Sequence, residues 1–371
     1  MIDDADRVLL ARALELAARG ARTAAPNPQV GCVIARHGTV VAEGWHVRPG
    51  ERHAEVMALD VAQEGARDAT AYVTLEPCAH TGRTPPCSEA LIRAGIGRVV
   101  VLADDPAPHA AGTSLMQFAD AGIPVDIADD DDPLAIAARR QNAGFRTWHA
   151  LGRPHVTYKA AQTLDGRTAT RTGDSRWISG AAARARVHEL RARAGAVLVG
   201  AGTALADDPE LTARDCDPPA ERQPLRVVWD RGLRLPADAR LARTAGFGPV
   251  LVLCALGADP ARRQALEASG VEVAEVADLA AGLALLHARD VQTVLCEGGR
   301  GLAGALLGAG LVDRMLVVTA PRLLGDPGAP GLVGATGHAP ERMDEATGLA
   351  AWSCEQVGED LWIDAWLREP R

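Results

Sequence analysis

The sequence predicts an α/β protein in two domains, residues 1–150 and 151–371. Three observations predict it. At 371 residues the chain is too long for one ordinary core and suits two domains of about 150 to 220 residues. Short β-branched runs alternate with stretches of helical period, an order that lays helices on the faces of a sheet. Near residue 150 the alternation pauses at Arg146–Pro154, which reads as a linker, and then restarts.

Residues 4–19 carry Val8, Leu9, Ala13, Leu14 and Ala17 at helical spacing, with acids at the start and Gly20 at the end. Pro26-Asn27-Pro28-Gln29 is stiff and extended. Val30–Ala35 and Val40–Glu43 flank His37-Gly38 as a hairpin. A helix over 53–62, a strand over 71–75, a helix over 87–94 and a strand over 98–102 follow. Asp129 to Asp132, before Pro133, reads as a solvated loop and the acidic start of a helix rather than a cation site. Beyond the linker come strands at 155–161, 196–200, 225–230, 250–254, 271–276 and 293–296. Helices at 180–194, 260–269 and 278–289 lie between them, and a further helix runs from about 300 to 309. Trp352–Val357 and Leu361–Leu367 close the chain as a hairpin, giving an α/β layer with an antiparallel finish. No repeat relates the two halves.

Composition narrows the function. A net charge of −9 argues against a nucleic-acid surface, which needs clustered Lys and Arg. No apolar run approaches a membrane span, and the acidic opening Met1-Ile2-Asp3-Asp4 lacks a signal-peptide pattern. Seven widely spaced cysteines do not resemble a disulfide framework, which points to the cytoplasm. Lys159 is the only lysine in an arginine-rich chain: either it survives by chance or an ammonium is needed there.

The chemistry concentrates between His53 and Cys87. One imidazole and two thiols, His53, Cys78 and Cys87, are the ligand set of a zinc site that keeps one position open. Glu55 stands where a zinc deaminase keeps its proton carrier. Each residue alone reads as a buried thiol or a satisfied histidine; their conjunction, after a strand and before a helix, favours one catalytic zinc. In the second half Gly200-Ala201-Gly202 is a turn rather than a dinucleotide fingerprint, because Leu205 fills the third glycine position. Glu297-Gly298-Gly299-Arg300-Gly301 can offer backbone N–H groups to a phosphate, or be only a tight turn.

Eight residues separate Cys78 from Cys87, not the usual two of zinc deaminases, and the insert Ala79-His80-Thr81-Gly82-Arg83-Thr84-Pro85-Pro86 is distinctive. With Pro26 to Ile34 and Gly44-x-His46, it resembles the bacterial bifunctional riboflavin biosynthesis enzymes, a pyrimidine deaminase fused to a reductase. His80 offers a rival ligand, but within this insert it reads as pocket lining. Ala107 and Ser114 depart from the family pattern, which usually has Asn and Gly there. The resemblance runs the full length. It continues through Lys159 to Arg167, Ser175-x-Trp177-Ile178-Ser179, Gly202 to Arg214, Glu297-x-Gly299 and Ala320 to Gly325.

The resemblance implies a cytidine-deaminase-like N-terminal domain and a dihydrofolate-reductase-like C-terminal domain using NADPH. The substrate it implies is 2,5-diamino-6-(5-phosphoribosylamino)pyrimidin-4(3H)-one, which loses its 2-amino group before its ribosyl group is reduced to ribityl. It places NADP contacts on Ala161, Trp177, Thr203, Asp207 and the run Gly299, Arg300, Gly301, Leu302, Ala303, Gly304 and Ala305. It places substrate contacts on Ser175, Arg191, Leu211, Arg214 and Glu297. Trp177 is then a stacking surface for nicotinamide or a core residue. The partners it implies are this small-molecule substrate and further copies of the chain, with neither nucleic acid nor membrane. Two rivals stand against it: a nucleoside or nucleic-acid deaminase with a structural C-terminal domain, and a structural zinc module joined to a binding domain.

Overall fold

The computed structural model describes residues 2–79, 85–107, 111–337 and 340–370. The chain forms two compact units, one reaching Gly152 and one starting at Arg153.

In the first unit the elements are α1 (Asp4–Ala18), β1 (Gly31–Arg36), β2 (Thr39–Trp45), α2 (Ala54–Ala62), β3 (Thr70–Val73) and α3 (Cys87–Arg93). They continue with β4 (Arg98–Val101), α4 (Thr113–Asp120), β5 (Val125–Ile127), α5 (Pro133–Gln141) and α6 (Ala143–Leu151). The sheet order is β2-β1-β3-β4-β5, with β1 antiparallel to both neighbours and β3, β4 and β5 parallel. His37 and Gly38 both take positive φ (48° and 77°), the backbone that a two-residue hairpin turn between right-twisted strands requires. An Asp3–Asp6 capping box starts α1, whose Leu10 and Leu16 are wholly buried on the sheet, each stabilising the fold by about 2–3 kcal/mol. Gly44 is where β2 passes under α2: a Cβ there would sit 2.7 Å from Ala58 N and nearer still to Ala54 O.

The acidic run at 129–132 is a helix start, as expected. Asp132 caps α5 by accepting from Leu134 N at 2.8 Å, and it pairs with Arg7. The expected linker at 146–154 is a correction: residues through Leu151 belong to α6. Its Arg146 is buried, donating to Asp104 O (2.7 Å) and Asp104 Oδ1 (2.9 Å), so a charge that reads as solvated is a tertiary clamp.

The second unit contains β6 (His155–Thr163), α7 (Ala181–Arg193), β7 (Ala196–Gly200), α8 (Ala201–Asp207), β8 (Leu225–Trp229), α9 (Arg240–Arg243), β9 (Val250–Cys254) and α10 (Pro260–Ala268). After these come β10 (Glu272–Glu275), α11 (Leu279–His287), β11 (Thr293–Cys296), α12 (Arg300–Gly308), β12 (Arg314–Ala320), β13 (Ala351–Val357) and β14 (Asp360–Trp366). The nine-stranded order is β10-β9-β8-β7-β11-β6-β12-β14-β13, parallel as far as β12 and antiparallel over the last three strands. Strands buried on both faces read as continuous apolar runs, as Val250–Cys254 does. Because β11 inserts between β7 and β6, the carboxyl ends of these three strands lie side by side. Open parallel sheets bind ligands at such ends.

Candidate functional site

In the first unit His53 is the N-cap residue of α2, and Glu55 lies in that helix's first turn. Cys87 is the first residue of α3, and its backbone N–H donates to Cys78 Sγ at 3.4 Å. Ser88 N and Oγ both donate to Cys78 O, at 3.2 and 3.1 Å, so the start of α3 fixes the Cys78 loop. His53 Nδ1 lies 3.6 Å from Cys78 Sγ and 3.3 Å from Cys87 Sγ. All three ligand atoms fall within 4.8 Å of one another, and no other cluster of this kind occurs among the described residues.

Tetrahedral zinc with Zn–S near 2.3 Å and Zn–N near 2.05 Å sets nitrogen and sulfur about 3.6 Å apart. The donor set therefore fits zinc. Cys87's thiol holds Cys78's pKa well below the usual thiol range, with help from His53, while Cys87 itself is pushed up by that partner and by burial. Cys78's hydrogen bond raises His53. Glu55 is 3% exposed, and burial and the charge on Cys78 push its carboxyl up to about 7. His80 and Thr81 to Thr84, the heart of the insert, lie outside the described residues, as do Pro108 and His109 of the loop that Ala107 enters.

Neighbouring residues brace these groups. The His46 ring lies edge-on to His53 with centroids 5.3 Å apart. Asn27 Nδ2 donates to His46 Nε2 at 3.0 Å, which leaves Nδ1–H to donate to Arg52 O at 3.1 Å. Burial lowers the His46 pKa, keeping the ring neutral. Two residues before Cys78, the buried Glu76 carboxylate accepts from Ser114 Oγ (2.8 Å) and Gly112 N (3.1 Å). The sequence marked Asn27 and His46 only as motif letters, and Glu76 carried no signal.

The second unit gathers its residues at the three strand ends. Ala161 lies near the end of β6, Thr203 in α8 after β7, and Gly299 directly before α12 after β11. Gly299 N donates to Thr203 Oγ1 at 3.0 Å, which ties two of these segments together. Nothing stands within 4 Å of a Cβ built on Gly301, so the turn leading into α12 leaves room for a phosphate. Gly304 instead serves packing: a Cβ there would meet Ala335 O and Gly334 O.

Arg191, in the last turn of α7, makes a bidentate pair with Glu297 at 2.6 and 2.9 Å, both side chains nearly buried. Its Nη1 also donates to Thr212 O at 3.2 Å, beside Leu211. Burial opposes Glu297's charge, but Arg191 prevails and holds the carboxyl below its usual range. Burial lowers Lys159 on β6, while Glu297 acts the other way. Arg214 is half exposed, its Nη1 3.5 Å from Thr212 Oγ1. Asp207 is reached through Arg176, whose Nη2 donates to Asp207 O at 2.8 Å, anchoring the loop that holds Ser175 and Trp177. Trp177 is 62% exposed, with Arg184 4.6 Å over its ring, so it is not a core residue.

Comparison with known proteins follows the same division. Residues 154–363 match the RibD C-terminal domain, and residues 3–103 match the cytidine and deoxycytidylate deaminase zinc-binding region. The riboflavin biosynthesis protein RibD of Aquifex aeolicus is 39% identical, covering 98% of this chain and 99% of its own. That of Escherichia coli K12 is 40% identical over 96% of this chain and 98% of its own. Among solved structures, Acinetobacter baumannii RibD superposes with a TM-score of 0.84 at 39% identity, covering 98% of both chains. A Thermotoga maritima diaminohydroxyphosphoribosylaminopyrimidine deaminase/5-amino-6-(5-phosphoribosylamino)uracil reductase gives 0.82 at 32% identity, also over 98% of both.

Proposed function

The chain belongs to the RibD family of riboflavin biosynthesis proteins, and from that premise we propose which of its residues run each of its two reactions. It is a bifunctional enzyme, a zinc-dependent deaminase followed by an NADPH-dependent reductase. The substrate is the diaminopyrimidinone phosphoribosyl compound named for the Thermotoga relative. Hydrolytic loss of its 2-amino group yields 5-amino-6-(5-phosphoribosylamino)uracil, whose ribosyl group is then reduced to ribityl.

His53, Cys78 and Cys87 hold the zinc. When bound, the metal supplies a water acidic enough to attack at neutral pH. Glu55, two residues from His53, would take the two protons of the attacking water in turn, passing one to the ring nitrogen and one to the amino group, which leaves as ammonia while a ring carbonyl remains. A carboxyl pushed up toward 7 by burial suits a group that must both take and give a proton. His46, satisfied by Asn27 and Arg52 O, holds Asn27 in place, and the remaining amide groups of Asn27 are free to meet the pyrimidine ring.

In the second unit the run from Gly299 to Ala305, in which Gly304 packs the helix rather than meeting the ligand, binds NADPH together with Thr203, Asp207, Ala161 and Trp177. Arg191 and Arg214 take the substrate phosphate, and Glu297 orients Arg191. Ser175 and Leu211 complete the substrate contacts. Seven free, widely spaced cysteines support a reducing cytoplasmic setting, and no described helix is long and apolar enough to cross a membrane. The edge strand β13, exposed with Trp352 at its surface, supports assembly with further copies of the chain.

The observation that carries the reading is one imidazole nitrogen within 3.6 Å of two thiol sulfurs with Glu55 buried beside it. Glu55→Gln should keep one zinc per chain and lose ammonia release while NADPH oxidation of the deaminated substrate continues. Unchanged ammonia release would remove Glu55 from its role.

A further inference from the structure

The segment from Asp207 to Arg214 carries one proposed cofactor residue and two proposed substrate residues, yet beyond Asp207 it has no helix or strand to hold it. Its backbone is nevertheless heavily constrained. Leu211 sits at φ 56°, a left-handed conformation that a bulky side chain keeps only when its surroundings impose it. Leu211 and Ala213 are both buried.

Two side chains do the holding, Gln223 just before β8 and Arg226 within it. Gln223 Oε1 accepts from Ala213 N–H at 2.7 Å, and Gln223 Nε2 donates to Ala213 C=O at 2.9 Å. One amide thus satisfies both backbone groups of one buried residue, as a partner strand would. Arg226, wholly buried, donates to Glu210 O (3.2 Å) and is fixed in turn by Thr244 Oγ1 (2.7 Å), Thr244 O (2.8 Å) and Gly248 O. Gly248 also packs on Gln223, since a Cβ built there would lie 3.0 Å from Gln223 Cβ. Between these anchors Thr212 O accepts from Arg191. Gln223 therefore pins the residue directly before Arg214, while Arg191 binds the one directly before that.

We propose that Gln223 is a positioning residue for the reductase: its amide sets the distance between the Arg191 and Arg214 guanidinium groups and so tunes the site for a phosphate monoester. The inference rests on the reading of Arg191 and Arg214 as the phosphate contacts. Gln223 spends its amide on the Ala213 backbone and is not among the proposed substrate or cofactor contacts. It acts through Ala213.

The test uses the full-length zinc enzyme and the deaminated substrate with and without its phosphate. Gln223→Met keeps length and bulk and removes both hydrogen bonds. We expect KM for the phosphorylated substrate to rise about tenfold, the scale of one net hydrogen bond. The kcat, the KM for NADPH, turnover of the dephosphorylated compound and deamination should stay within about twofold. A purely structural role would lower kcat and raise both KM values together, and that result overturns the proposal. Arg214→Ala separates the inference from its premise. If Arg214→Ala raises KM and Gln223→Met does not, only the role of Gln223 falls. If neither does, the phosphate reading falls and takes Gln223 with it. Should Gln223→Met fail to fold, hydrogen exchange in the unaltered protein decides. Protection of the Ala213 amide by a hundredfold or more supports the clamp, and exchange at open-loop rates overturns it.

Discussion

Replacing Gly44 with alanine tests how the zinc helix is held. A Cβ at 44 would lie 2.7 Å from Ala58 N and 3.0 Å from Met57 Cβ, and nearer still to Ala54 O, where ordinary contact begins near 3.4 Å. Two of these three atoms are backbone of α2, so no side chain can swing aside. The helix must lift from β2 by about 1 Å, and overpacking of this kind costs about 1–3 kcal/mol. His53 and Glu55 lie at the lifted end of that helix. A displacement of about 1 Å at reacting groups lowers rates about a hundredfold. Ammonia release by Gly44→Ala should therefore drop by about two orders of magnitude, with zinc content near one per chain and NADPH oxidation of the deaminated substrate unchanged. Deamination within threefold of the parent would show that α2 tolerates the shift and that the close approach does not position the site.

Three other outcomes follow from the same geometry. Arg191→Met strands the Glu297 charge in a nearly buried place and should destabilise the second unit by about 3–5 kcal/mol, while Arg191→Met with Glu297→Leu recovers most of that loss but not NADPH oxidation. Denaturant melts followed by a probe confined to the second unit give the cycle, and a coupling below about 0.5 kcal/mol refutes the pairing. Ser114→Ala removes one of two donors from the buried Glu76 carboxylate, so the first unit should lose about 1–3 kcal/mol and release zinc faster to a chelator. An unchanged midpoint and release rate would count against it. His155 is buried, its Nε2 without a hydrogen-bond partner among the described residues, beside Asp313, Arg314, Arg153 and Arg368, and burial lowers its pKa to about 4. The unfolded chain takes up that proton near pH 6.5 and the folded chain only near 4, so stability falls by about 3 kcal/mol between those values and levels below them. His155→Phe should flatten that slope; parallel slopes in the two proteins would dismiss His155 as its source.

The sequence made the chemistry legible where residue type alone is unusual. His53, Glu55, Cys78 and Cys87 stand out because few other environments need that set at helix starts. The alternation of strands and helices was equally plain, since parallel strands bury both faces and read as apolar runs. What stayed hidden depends on partners far along the chain. Arg146 looks solvated until Asp104 arrives to bind it, which is why α6 reads as linker. Met315–Val318 is apolar enough for a strand, but only pairing with β6 and β14 makes β12 one. Gln223, Ser114 and Glu76 are common polar residues whose importance comes from which backbone or carboxylate they meet. No pattern of spacing announces that.

Lys159 has a practical consequence. As the only lysine, it bears the single side-chain amine of the protein, on a strand flanked by the Arg191–Glu297 pair. Lysine labelled at its ε-carbon would give one NMR resonance, assigned without mutagenesis and sensitive to the charges of Arg191 and Glu297. Its titration would report how the neighbouring charges rearrange as NADPH and substrate arrive, in the intact two-domain chain.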